Sequence, residues 1–160
     1  MAGYGDDDGL TDWLAANGYE LPDGAPSAAV LRQRGSAYID GRYGSRFPGA
    51  PTGGLSQERA WPRTGAETAY GEAIPSSAVP TAIEHASYAA AYFEGLNPGG
   101  LSVSVVGSGQ IKREKTDVLE TEYFAGSGDP LADATPVLSA VEGLLAPFLI
   151  PTSRPAAFVV

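Results

Sequence analysis

Apolar residues recur at helical spacing in four stretches of this chain, separated by segments with no sustained period. The first is short. From Thr11 to Asn17 the order Thr, Asp, Trp, Leu, Ala, Ala, Asn predicts a helix capped by Thr11 and stopped by a left-handed Gly18. A helix of that length does not stand alone, so Trp13 and Leu14 must pack on other elements. A second helix is predicted from Ser27 to about Asp40, with Ala28, Leu31, Gly35, Tyr38 and Ile39 on one face, Arg32 and Gln33 on the other, and Gly41 as its end. The third pattern is the clearest. After Pro75 and a serine cap at Ser76 or Ser77, an apolar stripe of Val79, Ala82, Ile83, Ala86, Ala90 and Phe93 runs to Gly95, with Pro80 tolerated in the first turn. A fourth helix is predicted near Thr135, with Pro136 in its first position and Val137, Val141, Leu144, Leu145 and Phe148 facing the core. Pro147 and Pro151 end it.

Between Arg42 and Ile74 the pattern gives way to glycine, proline and isolated aromatics, which predicts a structured loop anchored by Phe47 and Trp61. Asn97 to Gly109 reads as a glycine-rich connector around the apolar Val103 to Val106. From Gln110 to Phe124 the sequence alternates, which predicts two strands folding back near Thr116 and Asp117. Lys112, Arg113 and Lys115 make the first strand basic, while Glu120 and Glu122 make the second acidic. Opposite charges across an antiparallel pair contribute about 0.2–1 kcal/mol each, which favours the hairpin. Few apolar residues anchor it, so it should project. The expected fold class is mainly α, a small bundle of about four helices with a projecting β-hairpin and an extended C-terminal arm. As one domain over 1–160, it divides into a helical core at about 11–96 and 135–149, a hairpin extension at about 110–124 and an arm at 151–160.

Composition narrows the function. The 160 residues, 43% hydrophobic, suit one domain, and 21 glycines with 13 prolines leave much of the chain to turns, loops and extensions. The absence of cysteine excludes disulfides, thiolate nucleophiles and thiolate metal sites. No apolar run reaches bilayer length and the acidic start is unlike a secretory signal, so the expectation is a soluble protein made in a cytoplasm with no membrane partner. Nineteen acids against ten bases give a net charge of −9, which opposes non-specific attraction to phosphate backbones.

Candidate chemistry is sparse. The single histidine, His85, lies beside Glu84 on the polar side of the third predicted helix and reads as a surface or interface residue, since metal binding would need other ligands and no Gly-x-Ser-x-Gly elbow accompanies it. Asp6, Asp7, Asp8 and Gly9 resemble the start of a calcium loop, but no glutamate closes it, so they read as a flexible acidic terminus. Gly107, Gly109 and Lys112 have the wrong spacing for a phosphate-binding loop. Neither enzyme activity nor a cofactor is expected. The stretch from Arg32 to Arg63 also holds Arg34, Arg42, Arg46 and Arg59 together with Tyr38, Tyr43, Phe47 and Trp61, a mixture found where proteins bind single-stranded nucleic acid. The preferred reading is plainer: the aromatics are core and the arginines pair with the many acids. A subunit boundary is a third reading.

Several blocks carry a family resemblance. They are Ala37-Tyr-Ile-Asp-Gly-Arg-Tyr-Gly44, Gln57-Glu-Arg-Ala-Trp-Pro-Arg-Thr-Gly65, Ile74-Pro75 before a helix, Ile111-Lys-Arg-Glu-Lys115 and Glu120-Thr-Glu-Tyr123. In this order, over roughly Thr11 to Leu149, the chain resembles a phage family often labelled putative DnaT-like single-stranded-DNA-binding protein, whose members are similar to head-tail adaptors (connectors) of tailed bacteriophages. The resemblance implies a structural virion protein at the head-tail joint: a homo-oligomeric ring of about a dozen copies, a dodecamer, with the portal protein above and a stopper or tail terminator below. DNA would pass through it during genome ejection without sequence-specific binding, along a channel whose acidic wall does not hold it. On this reading Lys112, Arg113, Glu114, Lys115, Glu120, Glu122 and Tyr123 are candidate subunit or tail contacts, while the apolar tip of the tail, an end of the kind that marks binding sites, makes Arg154, Phe158, Val159 and Val160 candidate portal contacts independently of the resemblance. The alternative takes the label literally, as a single-stranded-DNA-binding protein using Arg42, Arg46, Arg59, Trp61 and Arg63. The longer connector from Gly99 to Gly109 and the tail after Pro151 depart from the family pattern, so no contact carries over to them.

Overall fold

The first helix, α1 (Asp7–Ala16), begins ahead of its predicted start because Asp6 is the cap: its side chain accepts from the Gly9 amide at 2.7 Å. Asp7 and Asp8 then occupy the first turn, where their charge is favourable to the helix dipole. The acidic start is therefore helix, and Thr11 lies within it, its hydroxyl donating to the Asp7 carbonyl at 2.9 Å. The predicted stop is correct. Gly18 adopts φ 67°, its amide donates to the Ala15 carbonyl at 3.1 Å, and the Tyr19 amide donates to the Leu14 carbonyl at 2.9 Å, the paired bonds of a Schellman motif. A computed structural model provides this description, covering residues 2–102, 114–116, 119–121 and 136–151.

The second and third helices, α2 (Ala28–Tyr43) and α3 (Thr81–Leu96), form the central pair. Leu31, Tyr38 and Ile39 of α2 and Ile83, Ala86, Ala90 and Ala91 of α3 are buried. Gly41 does not end α2. The helix runs on to Tyr43, which is buried and reaches Glu142 with its hydroxyl at 3.4 Å. The backbones of the pair come close at Gly35, where a methyl group would stand 2.8 Å from the Ala91 nitrogen and collide with the Ser87 carbonyl oxygen. Gly35→Ala should therefore lower stability by about 1–3 kcal/mol in urea unfolding. At Gly41, where a Cβ would meet nothing within 4 Å, the same change should raise it by about 0.5–1 kcal/mol.

Pro80 caps α3 instead of entering it, leaving Ser76 and Ser77 in the preceding turn, and Gly95 lies inside the helix, which closes at Asn97. The last helix, α4 (Ser139–Leu145), starts later than predicted and continues as a 3-10 turn, Ala146–Phe148. Val141 and Leu145 are buried while Leu144 and Phe148 pack against the core. Val137 is exposed, because Pro136 and Val137 precede the helix and the Pro136 carbonyl accepts from the Tyr38 hydroxyl at 2.6 Å.

The long segment between α2 and α3 is a structured loop. Phe47 and Trp61 are buried in the main core, and β1 (Ala50–Pro51) pairs antiparallel with β2 (Arg63–Thr64). A second antiparallel pair joins β3 (Glu114–Thr116) to β4 (Leu119–Thr121) in a register that sets Lys115 opposite Glu120. The predicted class holds: among the described residues the fold is mainly helical, with four α-helices and this hairpin. The C-terminal arm from 152 lies outside the described residues.

Candidate interface surfaces

The arginines are the natural place to look for an anion site, and among the described residues the chain's own oxygens hold all of them but Arg42. Arg32 pairs with Asp7 at 2.7 Å and donates to the carbonyls of Gly5 at 2.7 Å, Tyr4 at 3.2 Å and Gly3 at 3.3 Å. It straps the N-terminal segment onto α2. Arg59 donates to the Ala2 carbonyl at 2.8 Å, to Gln33 at 3.3 Å and to Asp40 at 3.4 Å. Arg46 reaches the Ile150 carbonyl at 3.4 Å, and the guanidinium of Arg42 lies 5.7 Å from the Tyr43 ring centre. Arg63 is buried. Its guanidinium donates to four carbonyls, those of Pro48 and Gly49 at 2.7 Å, Ala60 at 3.1 Å and Phe47 at 3.3 Å. Of the five residues named for a nucleic-acid surface, Trp61 and Arg63 thus sit inside the fold, where neither can stack on a base or meet a phosphate.

Arg34 is the half-exposed partner of a buried acid. Glu94 takes the Arg34 guanidinium at 2.8 Å and also the amides of Gly99 at 2.8 Å and Leu101 at 3.2 Å, so one carboxylate clasps α2, α3 and the chain leaving α3.

Tyr4 fills the space between α2 and the Trp61 loop. Its hydroxyl donates to Asp40 and accepts from the Trp61 amide at 3.2 Å. Burial pushes the Asp40 carboxyl up, against the opposing hydrogen bond from Tyr4 and the charge of Arg59. A carboxyl whose folded pKa exceeds its unfolded value binds more protons in the folded state. Asp40 therefore loses stabilising effect as pH rises through the interval between the two values. The stability of the native chain relative to Asp40→Asn should fall as urea unfolding is repeated from about pH 4 to pH 7.

On the other side of the central pair, α1 and α3 build an aromatic face. The Tyr19 ring stacks on Tyr92 at 4.4 Å with planes 5° apart, and Trp13 lies 5.6 Å from Tyr19, 6.3 Å from Tyr88 and 6.4 Å from His85. Tyr88 is buried beneath, where its hydroxyl accepts from the Asp6 amide at 3.3 Å. His85 thus belongs to an aromatic cluster. Sequence reasoning missed this face because Trp13, Tyr19, His85 and Tyr92 come from separate segments; the available signal was His85, Tyr88 and Tyr92 at helical spacing on one side of α3.

Among the candidate subunit contacts, Glu114, Lys115 and Glu120 lie in the hairpin strands, while Lys112, Arg113, Glu122 and Tyr123 are outside the described residues. Arg154, Phe158, Val159 and Val160, the candidate portal contacts, are outside them too.

Comparison with known proteins gives one finding. No curated protein and no solved structure matches the chain. A family profile described as "Putative DnaT-like ssDNA binding protein" matches residues 4–160. With nearly its whole length inside that profile, the chain belongs to the putative DnaT-like ssDNA-binding protein family.

Proposed function

We propose that this protein is a structural adaptor subunit of a tailed bacteriophage, one copy in a homo-oligomeric ring between the portal protein and the stopper or tail terminator, through which DNA passes. It is not an enzyme on this reading. The observation that carries the proposal is the engagement of the basic residues: Arg32, Arg59 and Arg63 are bound to backbone carbonyls and carboxylates of the same chain. The whole chain carries a net charge of −9, which repels free nucleic acid and suits a conduit that must not retain it. The hairpin adds an exchangeable set of charges, with Lys115 and Glu120 in register, of the kind that sets specificity at a protein contact.

Single-stranded-DNA binding is the second reading, favoured by the family's description. Imaging intact particles of the source phage decides between them. The adaptor reading expects a ring of this chain at the portal-tail joint. Absence from the particle, with salt-sensitive binding of the purified chain to oligothymidylate, would replace it with the nucleic-acid reading.

A further inference from the structure

The aromatic face built by α1, the turn after it and α3 is partly open to solvent, and acidic residues adjoin its rings in sequence. Tyr19 is 41% exposed, and Leu96, one turn beyond Tyr92 on α3, is 46% exposed, so the stripe continues to the end of the helix. Asp12 adjoins Trp13, Glu20 adjoins Tyr19 and Glu84 adjoins His85. The bases on neighbouring α2, Arg32 and Arg34, are held by Asp7 and Glu94. Partly exposed rings with carboxylates next to them in sequence, none of which forms an ion pair among the described residues, disfavour a phosphate backbone and attract a cationic, partly apolar peptide, whose lysine or arginine can lie over a ring.

The chain contains such a peptide. Ile111-Lys112-Arg113-Glu114-Lys115 is basic with an apolar first residue, and its last two residues are already extended in β3. We infer that the aromatic face formed by Trp13, Tyr19, His85 and Tyr92 docks the basic segment 111–115 of a second copy of this chain. Two different patches on identical subunits make a heterologous contact, the type that repeats into a ring when its rotation closes. The inference rests on the ring reading above and supplies one of its interfaces.

The test uses the full chain with p-benzoylphenylalanine in place of Tyr19, mixed with isotope-labelled chain that lacks the cross-linker, irradiated with and without oligothymidylate. The expected product joins position 19 of an unlabelled copy to a labelled peptide within 110–124. Combined Lys112→Glu, Arg113→Glu and Lys115→Glu changes in the labelled copy should cut its yield by about tenfold or more while circular dichroism stays unchanged. Four outcomes overturn the inference: adducts to the same copy, adducts to labelled peptides elsewhere, adducts to oligothymidylate instead of protein, or none. Sedimentation of the same samples separates the two readings. Ring-sized assemblies with the adduct elsewhere retain the ring and reject this interface, whereas the expected adduct without rings in solution or in particles retains the contact and rejects the ring.

Discussion

Replacing Arg63 by alanine is expected to destabilise the protein by about 3–5 kcal/mol, read as a lower urea midpoint followed by tryptophan fluorescence. Arg63 is 6% exposed, and its guanidinium supplies donors to the carbonyls of Phe47, Pro48, Gly49 and Ala60. Without it these acceptors lose a charged donor, and each unsatisfied buried polar group costs about 1–3 kcal/mol unless water enters. Arg63→Lys should recover only part of the loss, because an ammonium on a flexible stem cannot reproduce the planar fork. Burial lowers the Arg63 pKa from its usual value, but an arginine so placed still carries its proton at neutral pH. Unchanged stability in Arg63→Ala would mean that the side chain is free, and the nucleic-acid surface would have to be reconsidered.

Trp61→Ala should cost a similar amount, about 3–5 kcal/mol, through lost apolar burial and the cavity left behind. Trp61 is 2% exposed and its ring meets Phe47 at 5.6 Å and Phe148 at 6.5 Å, both edge-on, so it joins the loop to the 3-10 turn after α4. Trp61→Phe is expected to cost less than half as much. The indole N–H has no acceptor among the described residues, and removing a buried donor without a partner offsets part of the lost packing. If Trp61 instead served as a stacking platform for bases, both variants would keep native stability and lose affinity for single strands.

These two residues mark the limit of what could be read from sequence. The helices were legible because Ile83, Ala86 and Ala90, or Val141 and Leu145, recur with the period of a buried face. The hairpin was legible from alternation and charge, and its register sets Lys115 against Glu120 as the charge pattern suggests. Helix ends were less so. Gly41 and Gly95 read as stops, yet both lie inside helices, because a glycine in sequence does not reveal whether it serves a left-handed turn or simply continues the element. The acidic start looked like a loose terminus, since nothing in the order of residues says that Asp6 meets the Gly9 amide. The arginines were read in outline as engaged with acids. Most of their partners are in fact backbone carbonyls, which every residue carries and no pattern distinguishes. The aromatic face left only a partial signature, His85, Tyr88 and Tyr92 at helical spacing, because Trp13 and Tyr19 join those rings only when α1 lies on α3.

On the adaptor reading proposed above, the clasp at Glu94 acquires a mechanical meaning. The carboxylate holds the Gly99 and Leu101 amides on one side and Arg34 on the other. Tension on the chain beyond Ser102 reaches this knot before the last turn of α3 and passes through Arg34 into α2. A pull that would otherwise unzip a helix end one hydrogen bond at a time instead loads two packed helices together. A chain clasped in this way resists a pull on the segment after α3 with two helices in place of one fraying end.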